Sequence, residues 1–141
     1  MAQPIASIVL RTPTDADPAT LWAALTVPER VAAWFTTASP LGAVGAPYTL
    51  DFGDGSVVDG ELREIVPGHR FAHSWHWQGA PAAETTQVTW EVERTADGRT
   101  IAVLTHSGWA EAGLDESDRD DHRGSWEDYL DGLRELLSGG A

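Results

Sequence analysis

The last stretch of the chain repeats Trp126, Tyr129, Leu130, Leu133, Leu136 and Leu137 at helical spacing, while Glu127, Asp128, Asp131, Arg134 and Glu135 fall on the other side. For about eighty residues upstream the pattern is strand and turn. A single long amphipathic helix has to bury its stripe, and the face of an antiparallel sheet is the one apolar surface large enough to take it. The spacing therefore predicts one long helix, opened by Trp126, laid across a sheet. Trp75, Trp77 and Trp90 lie in strand-like runs and Trp109 at a strand end, so aromatic bulk is concentrated where helix and sheet meet.

The strands are marked by alternation and by turns. Ile5 to Arg11 reads as a short strand closed by Pro13. Asp17-Pro18 is a helix N-cap followed by proline at the first helical position, and Thr26 or Val27 with Pro28 starts a second short helix carrying Val31, Trp34 and Phe35. Tyr48, Leu50 and Phe52 then alternate with Thr49 and Asp51, the pattern of a strand with one buried face. Asp54-Gly55 leads into Val57–Val66, Pro67-Gly68 into Arg70–Trp77, and Asp97-Gly98 joins 85–94 to Thr100–Ser107. The order is one strand, two short helices, about five antiparallel strands and a long helix. That is an α+β chain of one domain over residues 1–141.

Composition removes several functions. A length of 141 residues with 42% apolar content supports one domain with a real core. The formal charge of −13, from 22 acidic residues against 9 arginines, sets aside nucleic acid and anionic membrane surfaces as partners. With no cysteine there is no disulfide, thiolate nucleophile or thiolate metal site, and with no lysine there is no side-chain Schiff base or P-loop lysine. The start of the chain has no basic segment and only a short apolar run, so neither a signal peptide nor a membrane span is expected, and a cytoplasmic location is the default.

Trp34-Phe35, Gly45 before an aromatic strand, Gly60, Glu64-Ile65-Val66-Pro67, Ser74-Trp75, Thr86 to Glu91, Thr105-His106-Ser107-Gly108 and Trp126-Glu127-x-Tyr129-Leu130-x-x-Leu133 follow one another in a recognisable order. In this series the chain resembles the Hsp90-ATPase-activator-homologue-like branch of the START-like (SRPBCC) superfamily over nearly its whole length. The family commonly has glycine directly before the helix tryptophan, whereas this chain reads Gly124-Ser125-Trp126, which leaves the start of the helix open. The resemblance implies a helix-grip fold, in which a curved sheet wraps the C-terminal helix around a cavity bounded by the short helices. It implies less about activity, since the superfamily holds lipid carriers, hormone receptors, cyclases and the chaperone activator.

No chemical constellation stands out. His73 and His76, three apart on a strand, point to opposite faces and cannot share an ion, and His69 brings no convergent partner. Counting an EF-hand loop from Asp118 puts Arg123 at the required glycine and Tyr129 at the required glutamate, so Asp115 to Asp121 reads as a solvated helix entrance. Gly53-x-Gly55 is a hairpin turn, and no G-x-S-x-G elbow gives Ser56, Ser74 or Ser107 a hydrolase context. His106 depends on register. A connection of two or four residues at Asp97-Gly98 pairs Trp90 with Thr105 and turns His106 outward, while three residues pair Trp90 with His106 and turn it inward. Leu104, two before it, matches the family habit and favours the inward choice. An inward histidine is more often a hydrogen-bonded structural group than a general base.

The tryptophans fit two uses equally, filling a core or lining a pocket. On the pocket reading, the ligand-binding candidates are Trp34, Phe35, Tyr48, Phe52, Trp75, Trp77, Trp90, His106, Trp126, Tyr129, Leu130 and Leu133. The expected function is binding of a small hydrophobic or aromatic molecule, with no catalytic residue, metal or cofactor. A cyclase or aromatase would need a general acid or base from His106, Tyr48 or Tyr129 and ranks second. A chaperone activator ranks third, because the chain closes at Ser138-Gly139-Gly140-Ala141 without the second module joined to the domain in the activator. A homodimer stays open.

Overall fold

Among residues 5–138, which the computed structural model describes, the chain runs β1 (Ile8–Thr14), α1 (Pro18–Thr26), α2 (Pro28–Val31), β2 (Thr37–Ala38), β3 (Pro47–Asp51), β4 (Val57–Val66), β5 (Arg70–Trp77), β6 (Thr86–Arg94), β7 (Thr100–Ser107) and α3 (Glu116–Leu137). The strands form one antiparallel sheet ordered β1-β7-β6-β5-β4-β3-β2, a half-barrel curled around α3. This is the helix-grip arrangement. Strands β3 to β7 are the five expected from alternation and turns, and the two-residue β2 adds an edge beside β3.

Two features bend β4 so that the sheet can curl. The pairing with β5 slips between Leu62 and Glu64, a bulge that sharpens local twist. At Gly60 the β5 backbone comes so close that an added Cβ would stand 2.3 Å from the Ser74 carbonyl oxygen and 3.0 Å from that of Tyr48. Only glycine allows that approach.

The edge strand differs from the sequence expectation. β1 begins at Ile8 instead of Ile5 and continues through Pro13, which pairs with Ile101, to Thr14. Among the described residues its one neighbour in the sheet is β7, and an outermost strand is where a missing N–H is tolerated.

The short helices clamp one end of the sheet. Asp17 accepts the Thr20 N–H at 2.8 Å and Pro18 opens α1. α2 ends at Val31, so Trp34 and Phe35 stand in the turn beyond it and not on the helix. The Trp34 indole donates to the Ala24 carbonyl at 2.8 Å, tying that turn back to α1.

α3 begins at Glu116, and Trp126 therefore sits mid-helix instead of opening it. The helix starts in the acidic run because Asp115 and Asp118 form a reciprocal capping box: Asp115 accepts the Asp118 N–H at 3.0 Å, and Asp118 accepts the Asp115 N–H at 3.1 Å. Trp126, Leu130 and Leu133 are buried against the inner faces of the strands, whereas Leu136 is 47% exposed, so the stripe is narrower than its spacing suggested. Beneath it lie Leu50, Val58, Leu62, Phe71, Val88 and Leu104, one contiguous core.

Candidate functional site

Side chains alternate along β5, which puts Phe71, His73, Trp75 and Trp77 on the concave face and leaves His76 half-exposed, bonded to the Ala80 carbonyl. The core fills the space above Phe71 and His73 but stops short of the Trp77 end. There a cavity of about 320 Å³ opens, walled by Phe35, Phe52, Trp75, Trp77, Trp126 and Tyr129, with Asp54, Ser56, Asp121, His122 and Ser125 completing its lining. The walls are mutually braced. Trp75 meets Trp77 edge-on at 5.5 Å and Trp126 at 5.3 Å, while Phe35 packs on Tyr129 at 4.8 Å and on Phe52 at 5.6 Å.

Two indole-to-imidazole hydrogen bonds hold the wall. The Trp126 N–H donates to Nδ1 of His106 at 3.0 Å, so His106 carries its proton on Nε2 and directs it to the Thr86 hydroxyl at 2.7 Å. The Trp77 N–H donates to Nε2 of His122 at 3.0 Å, and His122 Nδ1 in turn donates to the Asp118 carbonyl at 2.7 Å. By contrast, the indole N–H of Trp75 is buried and has no acceptor. Buried donors are almost always paired, so this one is an exception within the aromatic packing.

Six of the sequence candidates come together as wall: Phe35, Phe52, Trp75, Trp77, Trp126 and Tyr129. The other six, Trp34, Tyr48, Trp90, His106, Leu130 and Leu133, are buried in the core behind or beside it. Trp90 meets Trp34 at 5.9 Å and Trp126 at 5.6 Å, which makes it packing beneath the helix. His106 does face inward, but its partner is Val88, and Trp90 pairs with Leu104. Neither pairing considered from the sequence forms: the Thr95 N–H bonds to the Arg99 carbonyl at 2.8 Å, so residues 96–98 make the turn and the ladder sits two residues along from the inward alternative, which keeps His106 on the same face. His122 was not picked out by the sequence reading. Its signal is its place one helical turn before Trp126, on the same face.

Burial decides the protonation of the interior. Desolvation, followed by repulsion from His122 and His73, holds His106 well below the ordinary histidine range. Desolvation likewise lowers His73 to about 4, against a weaker opposing effect of its bond to the Ser74 carbonyl. Burial also pushes the Tyr48 hydroxyl up. These groups are neutral near pH 7 and poor proton carriers. At the rim the Asp54 carboxyl is lowered, chiefly by the backbone N–H of Ser56 and then by the Ser56 side chain. Among the described residues no cluster of three or more histidine, aspartate or glutamate side chains is placed to hold a metal ion. What the arrangement can do is enclose a planar apolar surface.

The architecture and its cavity define a START-like helix-grip domain. The chain belongs to the family described as activator of Hsp90 ATPase homolog 1-like protein, whose family model matches residues 15–138. Among solved structures it is similar to DynU16, a putative protein in the dynemicin biosynthetic locus, with 28% identity and a TM-score of 0.82 over 97% of this chain and 49% of that one. The chain thus spans about half the length of that relative. It is similar in fold to the Aha1 dimer from Colwellia psychrerythraea, with 24% identity, a TM-score of 0.77 and coverage of 96% of this chain and 98% of that one. An HSP90 activator from Plasmodium falciparum shares the fold at 19% identity and a TM-score of 0.74, over 93% of this chain and 95% of that one. No curated protein matches. No described helix is long and apolar enough to cross a membrane.

Proposed function

We propose that this protein binds a small hydrophobic or aromatic molecule in the cavity between α3 and the Trp77 end of the sheet, acting in the cytoplasm and without catalysing a reaction. One observation carries the reading. An aromatic cavity of about 320 Å³ opens between α3 and the end of a sheet whose middle is filled by one contiguous core, and six aromatic side chains wall it. Apolar walls with a few fixed polar groups are what a small-molecule site requires. The likeness to a protein from a biosynthetic locus points the same way, since such loci handle small molecules. A cyclase is less well supported, because His106 and Tyr48 are sealed in the core and both His122 nitrogens are engaged, which leaves Tyr129 as the one named acid–base candidate on the cavity wall. The test is a titration with 2-acetylnaphthalene. Saturable quenching of tryptophan fluorescence with a rise in melting temperature supports the reading, since a ligand binding only the native state stabilises it by mass action.

Family membership favours a second reading, an interaction module for an Hsp90-type chaperone. Stimulation of a purified Hsp90 ATPase by this chain, undiminished when the cavity is blocked, would support it over the first.

A further inference from the structure

Two indole-to-imidazole hydrogen bonds tie α3 to the concave face of the sheet, and they differ in their access to water. Trp126 donates to His106 inside the core, where His106 is fully buried. Trp77 donates to Nε2 of His122 at 3.0 Å at the open end, where both residues line the cavity and both are half-exposed. Desolvation, with the neighbouring His122 adding to it, holds His106 neutral. Of the two bonds, the second joins a cavity wall to an imidazole that protons in solution can reach.

The partners of His122 leave a further proton one place to go. Nδ1 already carries a proton, because the Asp118 carbonyl at 2.7 Å can only accept. Nε2 accepts the Trp77 N–H, so a proton there sets two donors against each other and the bond is lost. Around the imidazole stand the rings of Trp75 and Trp77 from β5 at 6.2 and 6.0 Å, His106 from β7 at 5.5 Å, and Trp109 from the segment after β7 at 4.9 Å. His106 has both nitrogens engaged by Trp126 and Thr86 and does not stand in for His122. Asp54, from the turn after β3, lines the same cavity, as does Asp121 on α3. On that helix Arg119 is paired with Asp120 at 2.7 Å and Arg123 with Glu127 at 3.9 Å, while the Asp118 carboxylate accepts from the Asp115 N–H at the helix start.

Resting on the ligand-binding reading above, we infer that His122 is a positioning residue for the cavity wall and makes ligand retention depend on protons: neutral His122 holds Trp77 in place, and protonated His122 frees Trp77 and releases the ligand. Trp77 is suited to this role. It is the last residue of β5, it rests on the rings of Trp75 and Phe52, each at 5.5 Å, and its one N–H is held by His122. The direction follows from the donors, since an imidazole accepts a hydrogen bond only while it is neutral, and imidazoles change charge between about pH 5 and 8. Binding is therefore tighter at the alkaline side of that range. By linkage, a ligand that needs the fixed wall opposes protonation of His122 by the same factor.

The test titrates 2-acetylnaphthalene into the whole protein by calorimetry at about pH 7.5 and about pH 5.5, with the His122 imidazole signals followed by NMR over the same range. Affinity is expected to fall about fivefold or more between the two, in step with protonation of His122, and the Trp77 indole signal of the free protein is expected to move along the same curve. In His122→Gln the amide oxygen accepts from Trp77 at every pH, so the ratio of the two affinities is expected to fall towards one. Trp77→Phe reaches the same end from the other side, keeping an aromatic wall and removing the donor, and it decides the matter if the glutamine variant does not fold. An acid-induced loosening of the whole fold would persist in both variants. Equal affinity at the two pH values, a His122 that stays neutral at the lower one, or a pH ratio unchanged in the variants would overturn the proton dependence while leaving the ligand-binding reading intact. Binding at neither pH would overturn both.

Discussion

The Trp126 indole N–H donates to Nδ1 of His106 at 3.0 Å, and this bond joins the middle of α3 to the inner face of β7. A buried imidazole that accepts on one nitrogen and donates on the other is fixed in one neutral tautomer. Folding therefore disfavours protonation of His106, and the same holds for His73. For a group whose folded pKa is lowered, the unfolded chain binds more protons, and stability falls as pH drops below the unfolded value. Stability is expected to be full above the ordinary histidine value of 6.5 and to decline as the pH approaches 4, with His73 alone accounting for about 3 kcal/mol of the loss. Urea melts across this range check the slope. Nitrogen NMR of His106 is expected to show the Nε2–H form persisting below the ordinary histidine range.

The helix stripe is tested by Leu133, which is fully buried in the core. Leu133→Asp puts an unpaired carboxylate there and is expected to cost about 3–5 kcal/mol. An unchanged melting temperature would be incompatible with α3 packing through this face.

Two glycines are expected to respond with opposite signs. Gly60→Ala drives a methyl group into the Ser74 and Tyr48 carbonyls and is expected to destabilise by about 3 kcal/mol. Gly124, inside α3, has nothing within 4 Å of an added Cβ, so Gly124→Ala is expected to stabilise by about 1 kcal/mol through helix propensity. Paired thermal melts decide both.

The same glycines show how far the sequence can be read. Tyr48, Leu50 and the glycine-bearing turns declare the sheet locally, because alternation and positive φ are properties of the chain itself, as at Gly55, Gly68 and Gly98. The helix stripe is equally local. The start of α3 is not, since it rests on a capping box in a run of polar residues that carries no stripe. Pro13 falls in a strand because β1 lies at the edge, a fact of topology that no neighbouring residue encodes. Which tryptophans line the cavity and which fill the core depends on where packing stops along β5. Trp75, Trp77 and Trp90 look alike in sequence, yet Trp90 lies under the helix while the other two meet open space. His106 was legible as inward-facing, but its partner depended on the residue pair at which the turn between β6 and β7 closes.

Blocking the cavity is expected to separate binding from stability. Ser125 is exposed on α3 at the cavity lining, so Ser125→Trp adds bulk there without disturbing the core. The expected outcome is a change in stability within about 0.5 kcal/mol and at least a tenfold loss of affinity for 2-acetylnaphthalene. Thermal melts and calorimetry measure the two effects.

The most direct measurement is a titration of the indole N–H signals of nitrogen-labelled protein with 2-acetylnaphthalene. The signals of Trp75, Trp77 and Trp126 are expected to shift and saturate together through ring currents as the aromatic probe fills the cavity they wall. Trp22, which packs on Phe71 outside the cavity wall, is expected to stay in place. If the Trp75 signal does not respond while the probe is present at millimolar concentration, or if all seven indoles shift alike, the cavity is not a ligand site.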